Sequence, residues 1–293
     1  MYDVIIIGKG PAGIQAALYT ARANLNTLVL GKESALIKTA RIDNYFGRKS
    51  TSGAELLETG LKQIQSVGAE FKEESVINLT KKNFFKVTTD RNKYEGKAVI
   101  IATGQPSKKI SIKNIEKFEG MGIHYCTTCD GFFYRDAKIG MLGYTDYVVE
   151  ETKEMLTFTR DVTILTHGKE LDMKEISKKF IKENNIPIIN KKITSFEGSK
   201  AMEALQFEDG STEKFDGIFV AYGSASSVDF ARKLGILIKD NALDVDSQQK
   251  TSIDGLFAAG DCTGGFKQIS TAVGEGAIAG KSAIEYVKGK KDN

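Results

Sequence analysis

Val4-Ile5-Ile6-Ile7 runs straight into Gly8-Lys9-Gly10-Pro11-Ala12-Gly13, an apolar stretch followed without a break by three glycines at GxGxxG spacing. The apolar run reads as a strand buried on both faces, as in parallel sheets. A helix is predicted from Ala12 to about Ala23 and a second strand at Thr27–Leu30, which opens a βαβ unit. In that context the glycines fit a dinucleotide-binding turn. Gly8 permits the tight turn, Gly10 lets a pyrophosphate approach the backbone, and Gly13 lets helix and strand pack closely. Pro11 and Ala12 lie between them, at the helix N-terminus that faces the phosphates. The acidic residue that usually ends the second strand and binds ribose is missing. Gly31 stands there, leaving Glu33 or backbone groups for that contact.

Outward from this turn, residues 54–68 read as an amphipathic helix and Val76–Val87 as short strands with polar turns. Lys97–Ala102 is a further buried strand ending at Thr103-Gly104. The pattern then restarts, with a strand at Lys138–Leu142, a turn at Gly143, a helix over 146–157 and a strand at Val162–Leu165. Ile218–Tyr222 is another strand. From Thr251 the chain reads as strand, glycine turn and a C-terminal helix over Thr271–Val287. The expected fold class is therefore α/β, with two nucleotide-domain-like halves.

The chain has 293 residues, 41% hydrophobic and 27% charged, enough to bury a sizeable core as an ordinary globular protein. No apolar run is long enough to span a bilayer, so no membrane association is expected. Only Met1-Tyr2-Asp3 precede the first strand, with no basic region, so no secretory signal is expected and the cytoplasm is the expected location. A net charge of +3 without an arginine-rich patch gives no support to nucleic-acid binding. The lysines, scattered as Lys108-Lys109, Lys178-Lys179 and Lys290-Lys291, serve solubility or docking of an acidic protein.

There are three cysteines, two of them in His124-Tyr125-Cys126-Thr127-Thr128-Cys129-Asp130-Gly131 and the third, Cys262, far along the chain. In a cytosolic chain such a pair is catalytic or metal-binding more often than structural. Cysteines three apart at a helix start form an easily reduced disulfide, their thiolates activated by the helix N-terminus. Asp130 is placed to give or take the proton that thiol exchange requires. A zinc site would need a second pair of ligands, and only His124 and the isolated Cys262 are offered. An inert buried pair is the remaining reading.

Cys-Thr-Thr-Cys-Asp-Gly-Phe-Phe at 126–133 resembles the active-site motif of the low-molecular-weight thioredoxin reductases, and the resemblance covers essentially the whole chain. Ile42-Asp43-Asn44-Tyr45-Phe46-Gly47, Ala102-Thr103-Gly104, Phe257-Ala258-Ala259-Gly260-Asp261 and Lys267-Gln268-Ile269 resemble the family's flavin-binding segments. The resemblance implies two Rossmann-like, three-layer ββα domains, the second inserted into the first. With boundaries near 113 and 243, an FAD domain would comprise 1–113 and 243–293, and a redox domain 114–242. It implies a homodimer, FAD as cofactor and thioredoxin as partner. Cys129 would sit against the flavin, Cys126 would attack the thioredoxin disulfide, and Asp130 would be the acid. Asp261 would bind the ribityl or pyrophosphate side of FAD, Gln268 and Ile269 its ring, and Asn44 would lie near the flavin, with Gly104, Gly260 and Lys267 in the same segments.

The chain departs from the family where NADPH should bind. The second turn reads Gly143-Tyr144-Thr145-Asp146-Tyr147-Val148 and keeps only its first glycine; Thr145 stands where a pyrophosphate must approach the backbone. The family's His-Arg-Arg for the 2′-phosphate is His167-Gly168-Lys169, which loses the bidentate arginine grip. The usual Gly-Gly-Gln after the second strand is replaced by Ser34-Ala35-Leu36-Ile37-Lys38. This pattern resembles the ferredoxin-dependent flavin thioredoxin reductases of anaerobic bacteria, which implies reduced ferredoxin as donor and no NADPH. The alternatives are an NADPH-dependent thioredoxin reductase with a degenerate pocket and a flavin redox sensor without turnover.

Overall fold

A computed structural model describes residues 1–32, 34–104, 110–223, 225, 227–239 and 242–289. The chain divides into two compact units, one built from residues 1–106 and 226–293 and the other from 107–225. The first unit opens with β1 (Tyr2–Ile7), α1 (Pro11–Arg22) and β2 (Thr27–Leu30), within a residue or two of the sequence reading. Then come α2 (Gly53–Ser66), β3 (Glu70–Lys72), β4 (Val76–Lys81), β5 (Phe85–Thr89) and β6 (Lys93–Ile101). A capping box starts α2: Ser52 Oγ accepts from Glu55 N at 3.2 Å, and Glu55 Oε2 accepts from Ser52 N at 2.9 Å.

The second unit contains β7 (Ile123–His124), the short helix α3 (Thr127–Asp130), β8 (Ile139–Leu142), α4 (Asp146–Met155), β9 (Val162–Leu165), α5 (Glu175–Glu183) and β10 (Ile188–Ile189). It continues through β11 (Ile193–Glu197), β12 (Ala204–Phe207), β13 (Thr212–Lys214) and β14 (Gly217–Val220). Its five-stranded sheet runs β10-β9-β8-β14-β7, all neighbours parallel, and β11-β12-β13 form an antiparallel sheet. Phe118, Phe196, Leu205, Leu165 and Ile218 are fully buried in its core.

The chain returns to the first unit with α6 (Ser227–Leu234), β15 (Ile238–Lys239), β16 (Ala242–Leu243), β17 (Leu256–Ala258) and α7 (Ile269–Gly289). The first unit's sheet is ordered β3-β2-β1-β6-β5-β4, with β17 beside the C-terminal half of β6. Strands β3, β2, β1, β6 and β17 are parallel, and β4, β5 and β6 antiparallel, which gives the layered α/β fold anticipated from sequence.

The expected boundaries near 113 and 243 fall instead after 106 and after 225. The second shift is the larger. Residues 227–243 belong with the first unit because α6 buries Phe230 and Ala231 there, and Lys233 Nζ donates to Asn78 Oδ1 on β4 at 3.4 Å. The antiparallel β11–β13 sheet also went unread, its strands being too short to show periodicity.

Helices α1 and α7 meet through small residues. A Cβ on Gly276 would lie 2.2 Å from Ala12 O, and one on Gly280 3.0 Å from Ala16 O. This close approach fixes the backbone of Ala12, inside the glycine turn. Gly276→Val is therefore expected to destabilise the chain by about 1–3 kcal/mol, read as a lowered midpoint in denaturant unfolding.

Candidate active site

The glycine turn is held from three sides. Gly8 has φ +124°, and a Cβ there would lie 2.1 Å from Ala102 O; a Cβ on Gly13 would lie 2.0 Å from Gly8 O. Gly260, at φ +83°, faces Ala12 Cβ, which a Cβ would approach to 3.0 Å. Segments 8–13, 102–104 and 260–261, far apart in sequence, are thus brought together at the start of α1.

Gly10 is different. Its φ of −78° and ψ of 179° suit any residue, and a Cβ there would meet only Ser34 Oγ, at 3.9 Å. Neither backbone conformation nor packing demands glycine at this position, so what the bare backbone admits is something laid against it. Gly10 is the N-cap of α1, with no side-chain cap, Pro11 in the first turn and no acidic residue there. Those backbone N–H groups and the positive helix end suit a pyrophosphate. Thr103 adds a buried hydroxyl oxygen with no hydrogen-bond partner among the described residues.

Asn44 Nδ2 donates to Gln268 Oε1 at 3.1 Å, which joins two predicted flavin residues 224 positions apart. Ile269 begins α7 and Lys267 is exposed. Asp261 follows Gly260, whose N–H donates to Glu275 Oε2 at 2.7 Å; Thr263 Oγ1 donates to the same oxygen at 3.1 Å. The sequence reading missed Glu275, which sits inside a run that reads as plain helix. Gly104 has φ +72°. Glu33 lies outside the described residues. At Gly31 a Cβ would fall 2.8 Å from Lys9 N, so an acidic side chain does not fit there without backbone movement.

In the second unit β7 delivers the chain to Cys126, the N-cap of α3, whose Sγ accepts from Cys129 N at 3.2 Å. Cys126 and Cys129 form a disulfide. Cys126 is 2% exposed, whereas Cys129 is exposed. Asp130 Oδ2 lies 3.1 Å from His124 Nδ1. At Gly131 a Cβ would come 2.8 Å from the Phe158 ring, which explains the glycine after the acid. Phe132 and Phe133 follow, 56% and 78% exposed, with the Arg135 guanidinium 4.5 Å from the Phe132 ring centroid. An exposed aromatic pair beside a redox disulfide offers a surface for a protein partner.

Cys262 is fully buried, its thiol donating to Ala259 O at 3.3 Å, and burial pushes its pKa up to about 12. It stays a thiol at neutral pH and takes no part in exchange. Among the described residues no three His, Cys, Asp or Glu side chains gather where they could hold a metal.

The second glycine turn is closed by its own side chains. Thr145 caps α4, its Oγ1 accepting from Tyr147 N at 3.3 Å and donating to Gly223 O. Asp146 follows in the first turn, accepting from Lys174 N at 3.2 Å and Ser177 Oγ at 2.6 Å. A hydroxyl thus caps the helix end that in α1 is free, and an acidic residue stands in its first turn. His167 Nδ1 accepts from Ile193 N at 3.0 Å, and burial first, then Lys192 and Lys169, lower its pKa. It is a neutral acceptor rather than a phosphate-binding cation. Lys191 and Lys192 beside it pair with Asp209 and Glu208, at 2.7 and 3.2 Å.

A free helix end over a parallel sheet, with a cysteine disulfide on a second α/β unit, is the plan of the nucleotide-linked disulfide oxidoreductases. The chain belongs to the pyridine nucleotide-disulphide oxidoreductase family, whose profile matches residues 2–276, and within it to the low-molecular-weight thioredoxin reductases. It is 33% identical to the thioredoxin reductase of Listeria innocua over 311 aligned positions, covering 100% of this chain and 96% of the relative. Among solved structures it is similar to the atypical thioredoxin reductase TRi from Desulfovibrio vulgaris Hildenborough, at 42% identity and TM-score 0.96 over 99% of each chain. It is also similar to a ferredoxin-flavin thioredoxin reductase from Clostridium acetobutylicum, at 29% identity and TM-score 0.72 over 98% of each chain. The family implies FAD, and the free end of α1, the bare backbone of Gly10 and the Thr103 hydroxyl fit it.

Gly10→Val tests that fit. The added Cβ meets nothing beyond the adjoining residues nearer than Ser34 Oγ at 3.9 Å, and the backbone angles suit any residue, so folding by far-UV circular dichroism is expected to stay unchanged. FAD affinity is expected to fall tenfold or more, about 1.4 kcal/mol, read by flavin titration of the apoprotein.

Proposed function

We propose that this chain is a thioredoxin reductase that binds FAD in its first unit, reduces thioredoxin through Cys126 and Cys129, and takes its electrons from reduced ferredoxin rather than from NADPH. The observation that carries the choice of donor is the second turn, where the Thr145 cap and the Asp146 carboxylate stand at the helix end that a pyrophosphate would need. His167 as a neutral acceptor and the acid-paired Lys191 and Lys192 support the same reading, since none offers a free cation to a 2′-phosphate. The likeness to the clostridial ferredoxin-flavin enzyme agrees with it.

FAD, when bound, supplies a carrier that accepts electrons singly and passes them on as a pair; the residues of the first unit that would hold it are Gly8, Gly10, Pro11, Ala12, Gly13, Asn44, Ala102, Gly104, Gly260, Asp261, Lys267, Gln268 and Ile269. The chain's own chemistry begins when the Cys126–Cys129 disulfide takes up two electrons and two protons. Cys126 loses its proton to water and, as thiolate, attacks one sulfur of the partner's disulfide. That bond breaks, a mixed disulfide forms, and the expelled partner thiolate takes a proton from Asp130. Cys129 then attacks Cys126, which closes the pair again and releases the partner as a dithiol. Because Cys126 is 2% exposed in the oxidised state, its attack requires the α3 turn to open once the disulfide is reduced. We further infer a homodimer and a cytoplasmic location, where a turning-over dithiol is kept reduced; no helix among the described residues is long and apolar enough to cross a membrane.

The test is anaerobic. The FAD-loaded chain is mixed separately with NADPH, NADH and reduced ferredoxin, and flavin absorbance is followed. Bleaching by ferredoxin at least 100-fold faster than by either nucleotide is expected. Rapid bleaching by micromolar NADPH would overturn the proposed donor.

A further inference from the structure

His124 is engaged on every side. Its side chain is 10% exposed. Its ring stacks on Phe219 of β14, with centroids 5.2 Å apart and planes at 25°, and meets Tyr134 edge-on at 5.1 Å. Both ring nitrogens are occupied: Nδ1 lies 3.1 Å from Asp130 Oδ2, and Nε2 lies 2.7 Å from the Tyr134 hydroxyl. Tyr134 is fixed in turn by Gly217, where a Cβ would stand 2.6 Å from its ring. The result is an unbroken chain of polar contacts, Tyr134–His124–Asp130, ending at the residue next to Cys129.

Packing alone does not require this. An apolar ring would fill the same slot against Phe219, and Asp130 is placed on α3 by its own backbone, Asp130 N donating to Cys126 O at 3.1 Å. What an imidazole adds is one donor and one acceptor, a ring N–H toward the carboxyl and a bare nitrogen toward the phenol. With Asp130 ionised, the Tyr134 hydroxyl donates to Nε2 and Nδ1–H donates to the carboxylate. With Asp130 protonated at Oδ1, Nδ1–H still faces Oδ2 and the Tyr134 hydroxyl still donates to Nε2. The two states differ by one proton and leave both ring nitrogens paired. Tyr134 stays a phenol in both: burial first, then the charges of Asp130 and Asp216, raise its pKa. The titratable groups facing the ring are Asp130 on α3 and Tyr134 after it; Asp216, just before β14, acts on Tyr134, and Phe219 adds no charge.

We propose that His124 is the positioning residue of the redox pair: through the Tyr134–His124–Asp130 chain it aims the Asp130 carboxyl and holds it in either protonation state. The role rests on the reading of Asp130 as the acid of Cys126–Cys129. When an expelled thiolate takes the Asp130 proton, Nδ1–H stabilises the carboxylate left behind, and a proton from water later restores the acid.

The experiment needs neither the physiological donor nor the partner. FAD-loaded enzyme is photoreduced by two electrons and mixed, in single turnover across pH, with one of two small disulfides. Bis(2-hydroxyethyl) disulfide expels a basic thiolate that needs a proton; 5,5′-dithiobis(2-nitrobenzoate) expels one that does not. Asp130→Asn is expected to slow the first at least tenfold and to leave the second within about twofold. His124→Phe, which keeps the stacking, is expected to do likewise. In His124→Asn the side-chain amide can still donate to Asp130, so the rate with the first probe should recover to within about threefold of wild type. Tyr134→Phe, which removes one hydroxyl, should give a smaller loss, about threefold. A slow Asp130→Asn beside a wild-type-like His124→Phe would show a packing role only and overturn the proposal. A wild-type-like Asp130→Asn would overturn it differently, by removing the acid. Equal slowing of both probes would mark a general structural defect, and would likewise overturn it.

Discussion

The free N-terminus of α1 is the constraint on which the first unit is arranged. A helix start leaves backbone N–H groups without partners, and an exposed helix ordinarily satisfies some of them with a side-chain cap. Here the N-cap is Gly10, which has no side chain to offer. The residues around it hold the turn open rather than closing it. Gly8 and Gly13 allow backbone to pass within contact of backbone, Gly260 admits Ala12 from the C-terminal segment, and Gly276 lets α7 lie directly on α1. The polar groups of segments 44, 103 and 268 gather within the same unit. These positions serve one need, a helix dipole presented to an anionic group.

The second unit repeats the topology and answers the same helix-end problem from within. Thr145 caps the start of α4 with a hydroxyl, and Asp146 adds a negative charge to its first turn. At equivalent turns, Gly10 leaves its helix start without a side-chain cap and Thr145 supplies one. The relatives named thioredoxin reductase share this architecture over nearly their full length, so shared architecture alone does not choose the electron donor. The second unit also carries a disulfide at a helix start, with an acid beside it and two exposed phenylalanines following.

Much of this was legible in the sequence because it was local. The strand-glycine-helix sequence at 4–13 and its degenerate echo at 139–148 are contiguous, and so is Cys126–Asp130. The exchange of glycine for Thr145 could be read letter by letter. What could not be read depends on contacts between distant segments. Asn44 meets Gln268 across 224 residues, although family likeness had already pointed to both. Glu275 binds Gly260 N from inside a helix whose pattern is only apolar and small. The domain boundary near 243 was misplaced because α6 follows a strand of the second unit and packs on the first, which no local signal reports. His124 was visible only as a spare metal ligand, since its link to Tyr134 exists once β7 and the turn after α3 are folded together.

Isothermal titration of the FAD-loaded chain with NADP⁺ is the most direct test of the difference between the two helix ends. Redox chemistry does not enter, and only the fit of a dinucleotide to the second unit is read. With the start of α4 capped by Thr145 and made acidic by Asp146, no saturable binding is expected up to about 1 mM, an affinity weaker than about 4 kcal/mol. A dissociation constant in the micromolar range would contradict it, and would show that a dinucleotide binds at a helix end that carries its own cap.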